Sequence, residues 1–185
     1  MVTKYKPGMI VFFFWNDRFY HKVIQYYNKK KFGEIGPVHV GIISKVKQNE
    51  VEIYEAVDKG FIKSDYEKWW LDERIKDGKV KIGECHTLLT NVEDNCKKYE
   101  GIRYGWTDIL GIVLGYLINW RIIGITGKNA LICSEAVVRI LYDSSNKKIQ
   151  IGYSKKEDKK KSEYPIKFDA ITPMHLFKSK YIKII

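Results

Sequence analysis

A cysteine, a histidine and a glutamate occupy positions in this sequence from which they could support nucleophilic catalysis. Cys133 precedes a run in which apolar residues recur at helical spacing, so the sequence predicts a helix from about 133 to 142 that begins at this cysteine. The positive end of a helix dipole favours the thiolate, which is the form that attacks carbonyl carbons. A free cysteine is also commonly an inert buried residue, and that interpretation stays open on this helix alone.

A nucleophilic cysteine needs a base, and His39 is the most distinctive of the four histidines. It lies at the start of an apolar run, 38–46, that predicts a strand, and a turn near Gln48 joins this strand to a second one, 51–57. Strand alternation places Glu55 on a mainly apolar face, near the same end of the hairpin as His39. The sequence therefore predicts an imidazole–carboxylate hydrogen bond, with an edge histidine and a glutamate–lysine pair as the alternatives.

Length, charge and cysteine count restrict the class of protein. The chain has 185 residues, 45% of them hydrophobic, so we expect one domain, 1–185, with a real core. The formal net charge of +11 would suit nucleic acid or an anionic surface, but the lysines are scattered and we expect no specific nucleic-acid binding. Three cysteines without a close pair argue against a disulfide framework and against a zinc site, and a reducing compartment is the simpler interpretation.

Two strongly apolar stretches, 9–15 and 109–120, raise the question of export or membrane insertion. The first ends in Asn16 without a small-residue cleavage site, so we interpret it as a buried strand and not as a signal peptide. The second is shorter than the roughly 20 residues that a membrane span needs, so we expect no transmembrane helix. Peripheral membrane contact would be compatible with its apolar character. We predict a cytoplasmic protein.

The rest of the chain alternates short predicted strands with helices. We expect a helix from a cap at Asn16 to about 31, a helix from a cap at Ser64 to 71, a strand at 80–85, helices at 91–100 and 107–119, an exposed lysine-rich loop at 144–162, a helical turn after 173 and a strand at 181–185. This order is typical of an α+β domain.

Three short motifs follow one another in a fixed order: His39-Val40-Gly41-Ile42, Tyr54-Glu55-Ala56-Val57 and Cys133-Ser134-Glu135-Ala136-Val137, with supporting segments at 7–12 and 171–176. Together they resemble the YiiX-like branch of the NlpC-type cysteine peptidase superfamily. That branch has a circularly permuted papain-like fold, so the resemblance implies an α+β domain in which a small antiparallel sheet packs against helices. Met9 departs from the family pattern, where an aspartate that is not catalytic is usual.

The resemblance also implies a function. Cys133 would be the nucleophile, His39 the base and Glu55 the orienting residue of a hydrolase that cleaves an amide or ester bond through an acyl-enzyme, without metal or organic cofactor. Tyr104 would donate a hydrogen bond to the oxyanion alongside the backbone N–H of Cys133. Cell-wall peptides are typical substrates of the superfamily, whereas permuted relatives of the lecithin:retinol type transfer acyl groups of lipids. The alternatives are an acyltransferase, a non-catalytic binding module of the same fold, and a basic protein whose surface binds nucleic acid or an anionic membrane.

Overall fold

The computed structural model describes residues 4–15, 19–105, 130–151, 153–154, 166–167 and 171–185. The helix cap predicted at Asn16, the apolar helix predicted at 107–119 and most of the lysine-rich segment lie outside the described residues. The strands are β1 (Ile10–Phe13), β2 (His39–Val46), β3 (Glu50–Val57), β4 (Gly60–Glu67), β5 (Val80–Cys85), β6 (Arg103–Tyr104), β7 (Ala130–Leu131), β8 (Tyr153–Ser154), β9 (Ile166–Lys167) and β10 (Ile182–Ile184). The helices are α1 (Phe19–Phe32), α2 (Lys68–Lys76), α3 (Val92–Lys97), α4 (Cys133–Ser144) and α5 (Pro173–Phe177).

Six strands form one antiparallel sheet in the order β10-β5-β1-β2-β3-β4. Two further pairs, β6 with β7 and β8 with β9, form short separate ladders. The predicted α+β class is confirmed, as are the strands predicted at 38–46, 51–57 and 80–85, within a residue or two at their ends. The helix predicted to begin at Cys133 is also present.

The central sheet is buried on both faces. Alternate residues of β1 enter two different apolar clusters: Phe12 belongs to the first and Phe13 to the second. Val137 of α4 lies in the first cluster, and Leu71 of α2 lies in the second. This burial explains why β1 is a continuous apolar run, since each of its residues faces a core.

The hairpin of β2 and β3 lies in the interior of the sheet. β1 pairs with one side of β2, with Phe13 opposite His39, and β3 pairs with the other side, with Gly41 opposite Glu55. β4 in turn covers the far side of β3. His39 is therefore on a central strand, which excludes the alternative of an edge histidine.

The segment from Gly60 to Glu67 is a strand, so the helix predicted to begin at Ser64 is wrong in its start. Ser64 lies opposite Ile53 in an unbroken ladder with β3, and α2 begins only at Lys68. A strand forms here instead of a capped helix because the backbone N–H and C=O groups along the outer side of β3 need hydrogen-bond partners.

Part of the segment predicted as an exposed loop belongs to the core. Ile149 is completely buried, and Ser145 is 1% exposed. The backbone N–H of Ile149 donates to Ser145 Oγ at 2.9 Å, and the N–H of Thr90 donates to the carbonyl of Ser144 at 2.8 Å. The prediction of an exposed loop is therefore wrong for the start of this segment, where two isoleucines among polar residues anchor the chain behind α4.

Gly41→Ala should destabilise the protein by about 1–3 kcal/mol, because β2 and β3 approach closely at this position. A Cβ atom at Gly41 would lie 2.6 Å from Cγ2 of Ile53 and 3.1 Å from the carbonyl oxygen of Tyr54, which is backbone and cannot rotate away. Urea unfolding would measure the loss. Gly36→Ala is the matched control, because its Cβ would meet the flexible thioether of Met174 and the cost should be smaller. Equal stability of Gly41→Ala and wild type would contradict this account of the hairpin.

Candidate active site

Three separate elements bring the predicted site residues together. His39 begins β2, Glu55 lies on β3, and Cys133 is the first residue of α4, which packs against both strands. Nε2 of His39 lies 2.7 Å from Oε2 of Glu55, so the hydrogen bond predicted from the hairpin register is present. The alternative partner for Glu55, a lysine, is not needed to satisfy this oxygen.

The cysteine lies on the other side of the imidazole. Cys133, which is 5% exposed, is close enough to His39 for its charge and hydrogen bonding to affect the pKa of the imidazole. Because Nε2 is held by Glu55, Nδ1 is the ring nitrogen that remains for the thiol. The ring of Phe13 stacks on the imidazole at 5.3 Å between centroids, with 30° between the planes, and limits its rotation.

The electrostatic surroundings favour a charged imidazole. Burial lowers the pKa of His39, but the charge and hydrogen bonding of Cys133, followed by those of Glu55, outweigh burial and raise this pKa to about 10. His39 is therefore an imidazolium at neutral pH, stabilised by the Glu55 carboxylate.

Glu55 is a buried carboxylate whose two oxygens both have donors. It is 3% exposed, and Oε1 accepts a hydrogen bond from the hydroxyl of Tyr66 at 2.7 Å. Burial by itself raises the pKa of Glu55. The hydrogen bond and charge of His39 oppose this effect, and hydrogen bonds from Tyr66 and Ser64 add to them, so the pKa lies below its usual range. Glu55 therefore stays ionised in the folded protein.

The sequence did not predict Tyr66 and Ser64 as neighbours of the site. Both lie on β4, in the region where the sequence predicted a helix that would have pointed them elsewhere. A usable signal was the tight turn at Asp58-Lys59 followed by Gly60, which returns the chain directly beside β3. Gly60 has a φ of 108°, which only glycine adopts without strain.

Tyr104 lies on β6, which runs beside the segment that leads into Cys133. β6 pairs in parallel with β7, and Tyr104 is opposite Leu131, two residues before Cys133. Its side chain is partly buried against the first apolar cluster. The structure thus places Tyr104 beside the segment that leads into the site, and its role as an oxyanion donor stays a prediction.

The segment 171–176, which carries a supporting motif, has a structural role at the base of α4. The hydroxyl of Ser134 donates to the carbonyl of Ile171. Nδ1 of His175 accepts the backbone N–H of Thr172 at 3.0 Å and so caps α5. Burial, with a smaller effect of Lys31, lowers the pKa of His175 to about 4, so its ring is neutral. This histidine holds α5 in place behind the site.

Within the described residues, no group of three or more His, Cys, Asp or Glu side chains is arranged to hold a metal ion. No helix in the same part of the chain is long and apolar enough to cross a membrane. Comparisons of the chain with protein-family models, with curated proteins and with solved structures give no match.

Iodoacetamide at limiting concentration and about pH 6 should alkylate Cys133 before the other two cysteines in the folded protein. Burial, helped by Glu84, raises the pKa of Cys85 to about 12. Burial and nearby glutamates raise the pKa of Cys96 well above its usual range. Both thiols should therefore stay protonated and slow to react, whereas Cys133 lies beside His39 at the start of α4 and should react first. Peptide mapping by mass spectrometry would give the order of labelling.

The matched variant for this measurement is His39→Ala, which should slow labelling at Cys133 and leave Cys85 and Cys96 unchanged. Urea-unfolded protein should label all three cysteines at similar rates, because the differences arise from folding. Three equally slow cysteines in the native protein would refute an activated thiol.

Glu55→Gln should cost more stability at neutral pH than in acid. The folded-state pKa of Glu55 is below its ordinary value of 4.5, so its charge contributes stability that is present above about pH 4.5 and is lost as the pH falls through the folded-state value. The difference in unfolding free energy between wild type and Glu55→Gln should shrink over that acidic range. Urea unfolding at a series of pH values would measure it, with the exposed Glu67→Gln as control for the loss of one negative charge. A difference that is independent of pH would contradict the assignment.

Proposed function

We propose that this protein is a cysteine hydrolase that cleaves an amide or ester bond through an acyl-enzyme on Cys133. The observation that carries the proposal is the His39 ring, which bonds to Glu55 through Nε2 and lies close enough to Cys133 for the two groups to interact. A nucleophile, a base and an orienting carboxylate in this order are what covalent hydrolysis requires. The ordered motifs described above give independent support.

The geometry suggests how the reaction would proceed. The thiolate of Cys133 attacks the carbonyl carbon, and the electron pair of the C=O bond moves to the oxygen. Backbone N–H groups in the first turn of α4, which have no acceptor within the helix, stabilise this oxyanion, with Tyr104 as the proposed side-chain donor. His39 gives its proton to the leaving nitrogen or oxygen as that bond breaks.

The second half of the reaction regenerates the enzyme. Neutral His39 takes a proton from a water molecule, whose oxygen attacks the thioester carbon of the acyl-enzyme. The C–S bond breaks, the acid product leaves, and the thiolate–imidazolium pair forms again. Glu55 holds the Nε2–H of His39 throughout, so that Nδ1 points at the cysteine in both half-reactions.

We also propose that the fold is the circularly permuted papain-like arrangement, in which the histidine strand precedes the cysteine helix in the chain. Two features support this: the order His39, Glu55, Cys133, and the packing of α4 against the antiparallel hairpin. A cell-wall type peptide or a lipid acyl amide is the substrate class that accompanies this proposal. A cytoplasmic location stays a prediction from the sequence.

One observation favours an acyltransferase as the second candidate. Cys133 is 5% exposed and belongs to the first apolar cluster. A thioester in such a dry site would be protected from water and could meet an alcohol or amine acceptor instead. Mass spectrometry of the intact protein after exposure to a cell lysate would identify the trapped acyl group, and release of that group into water or onto an added acceptor would separate the two activities.

Cys133→Ala and His39→Ala should each remove essentially all turnover of a generic acyl ester. Glu55→Gln should leave partial activity, because a neutral amide can still accept the imidazole N–H but stabilises the imidazolium less. Cys85→Ala is the matched control, since it removes a cysteine outside the site and should keep wild-type rates. Wild-type activity in His39→Ala would rule out the proposal, and binding without any turnover would favour a non-catalytic module.

A further inference from the structure

We propose that Tyr66 is a positioning residue of this site, which fixes Glu55 in one orientation and keeps it ionised through the hydrogen bond to Oε1. The inference rests on the proposed function, because Glu55 matters to the reaction only as the partner of His39. Tyr66 would be the fourth side chain of the site, after Cys133, His39 and Glu55.

The two oxygens of Glu55 are held by different elements. Oε2 lies 2.7 Å from Nε2 of His39 on β2, and Oε1 accepts the Tyr66 hydroxyl at 2.7 Å from β4 on the opposite side. A carboxylate with a single donor can rotate about its last bond, whereas one with a separate donor on each oxygen cannot rotate without losing a bond. Tyr66 therefore restricts the direction in which Glu55 presents its charge to the imidazole.

The register of the sheet allows the Tyr66 hydroxyl to reach Glu55. Tyr66 lies opposite Val51, whose side chain points to the same face of β3 as that of Glu55, four residues further along. A tyrosine ring that lies along the strand spans this separation, whereas a shorter side chain at the same position would not. Ser64, two residues earlier on the same face of β4, also contributes to the lowered pKa of Glu55.

The ring of Tyr66 is itself held by aromatic neighbours. Its centroid lies 6.2 Å from that of Phe13 and 5.2 Å from that of Trp70. Phe13 also stacks on His39, so one ring packs against the donors of both carboxylate oxygens, His39 and Tyr66. This packing fixes where the tyrosine hydroxyl points, which a positioning role requires.

The titratable groups that face Glu55 in the described part of the chain come from two elements. They are His39 from β2 and Tyr66 from β4, and Cys133 of α4 acts through His39. Burial and the adjacent carboxylate raise the pKa of Tyr66 well above its usual range, so its hydroxyl remains a donor. Loss of that donor leaves Glu55 less stabilised as an anion, so its protonation should move to higher pH.

Tyr66→Phe removes the hydroxyl alone and tests the proposal through the pH dependence of Cys133 alkylation by iodoacetamide. The acidic limb of the rate profile should move to higher pH, because Glu55 becomes neutral earlier and supports the imidazolium less. Tyr54→Phe is the matched control: the Tyr54 hydroxyl also bonds to a carboxylate, Oε2 of Glu100 at 2.9 Å, but the Tyr54 side chain lies on the face of β3 opposite to that of Glu55. Its profile should superimpose on that of wild type.

The same substitution made in the Glu55→Gln variant distinguishes a positioning role of Tyr66 from a general effect on packing. In Glu55→Gln the partner no longer titrates, so adding Tyr66→Phe should produce no further shift of the acidic limb. With a turnover substrate, Tyr66→Phe should lower kcat about tenfold and leave KM unchanged. A Tyr66→Phe profile identical to wild type, or an equal shift in the glutamate and glutamine backgrounds, would overturn the inference.

The outcome is distinguishable from failure of the proposed function. If Cys133 in the wild-type protein labels no faster than Cys85 and Cys96, the hydrolase proposal fails first. If it labels rapidly and depends on His39, but Tyr66→Phe changes nothing, the hydrolase proposal stands and the positioning role of Tyr66 is wrong.

Discussion

The arrangement of this protein depends on one buried charge. Glu55 is 3% exposed, and an ionised carboxylate at that depth is stable only when donors and positive charge surround it. Those partners come from both neighbouring strands, His39 on β2 and Tyr66 on β4, so the three strands must keep one register. A shift of one residue would turn every side chain of β3 to the other face and leave the carboxylate among apolar groups.

The same requirement links the sheet to Cys133. Because Nε2 of His39 bonds to Glu55, Nδ1 is the nitrogen that remains for an interaction with Cys133, the first residue of α4. Apolar packing holds α4 on the hairpin, and Phe13 holds the imidazole from the side. The charged groups are thus aligned by a scaffold that is largely apolar, where the screening of their interactions by water is weak.

His39 and His175 show how the surroundings of a histidine set its pKa. His39 and His175 are both mostly buried, yet adjacent anions raise the pKa of the first to about 10, while burial and Lys31 lower that of the second to about 4. The first is charged at neutral pH and bonds to Glu55. The second accepts a backbone N–H at the start of α5.

Local pattern was enough to predict β2, β3 and the helix that begins at Cys133, and with them the bond between His39 and Glu55. Apolar periodicity and a short turn fix these features, because they involve neighbours in sequence. Local pattern was not enough for Ser64 and Tyr66. A capping pattern predicted a helix there, but the segment forms a strand that pairs with the open edge of β3. The tertiary structure decided that edge, since the turn at Asp58-Lys59 signals only that the chain returns, whereas the backbone groups of β3 determine that the returning residues pair with it. For the same reason the meeting of Cys133 with His39 is a property of the fold: residues far apart in sequence come together only when the faces of the sheet are packed.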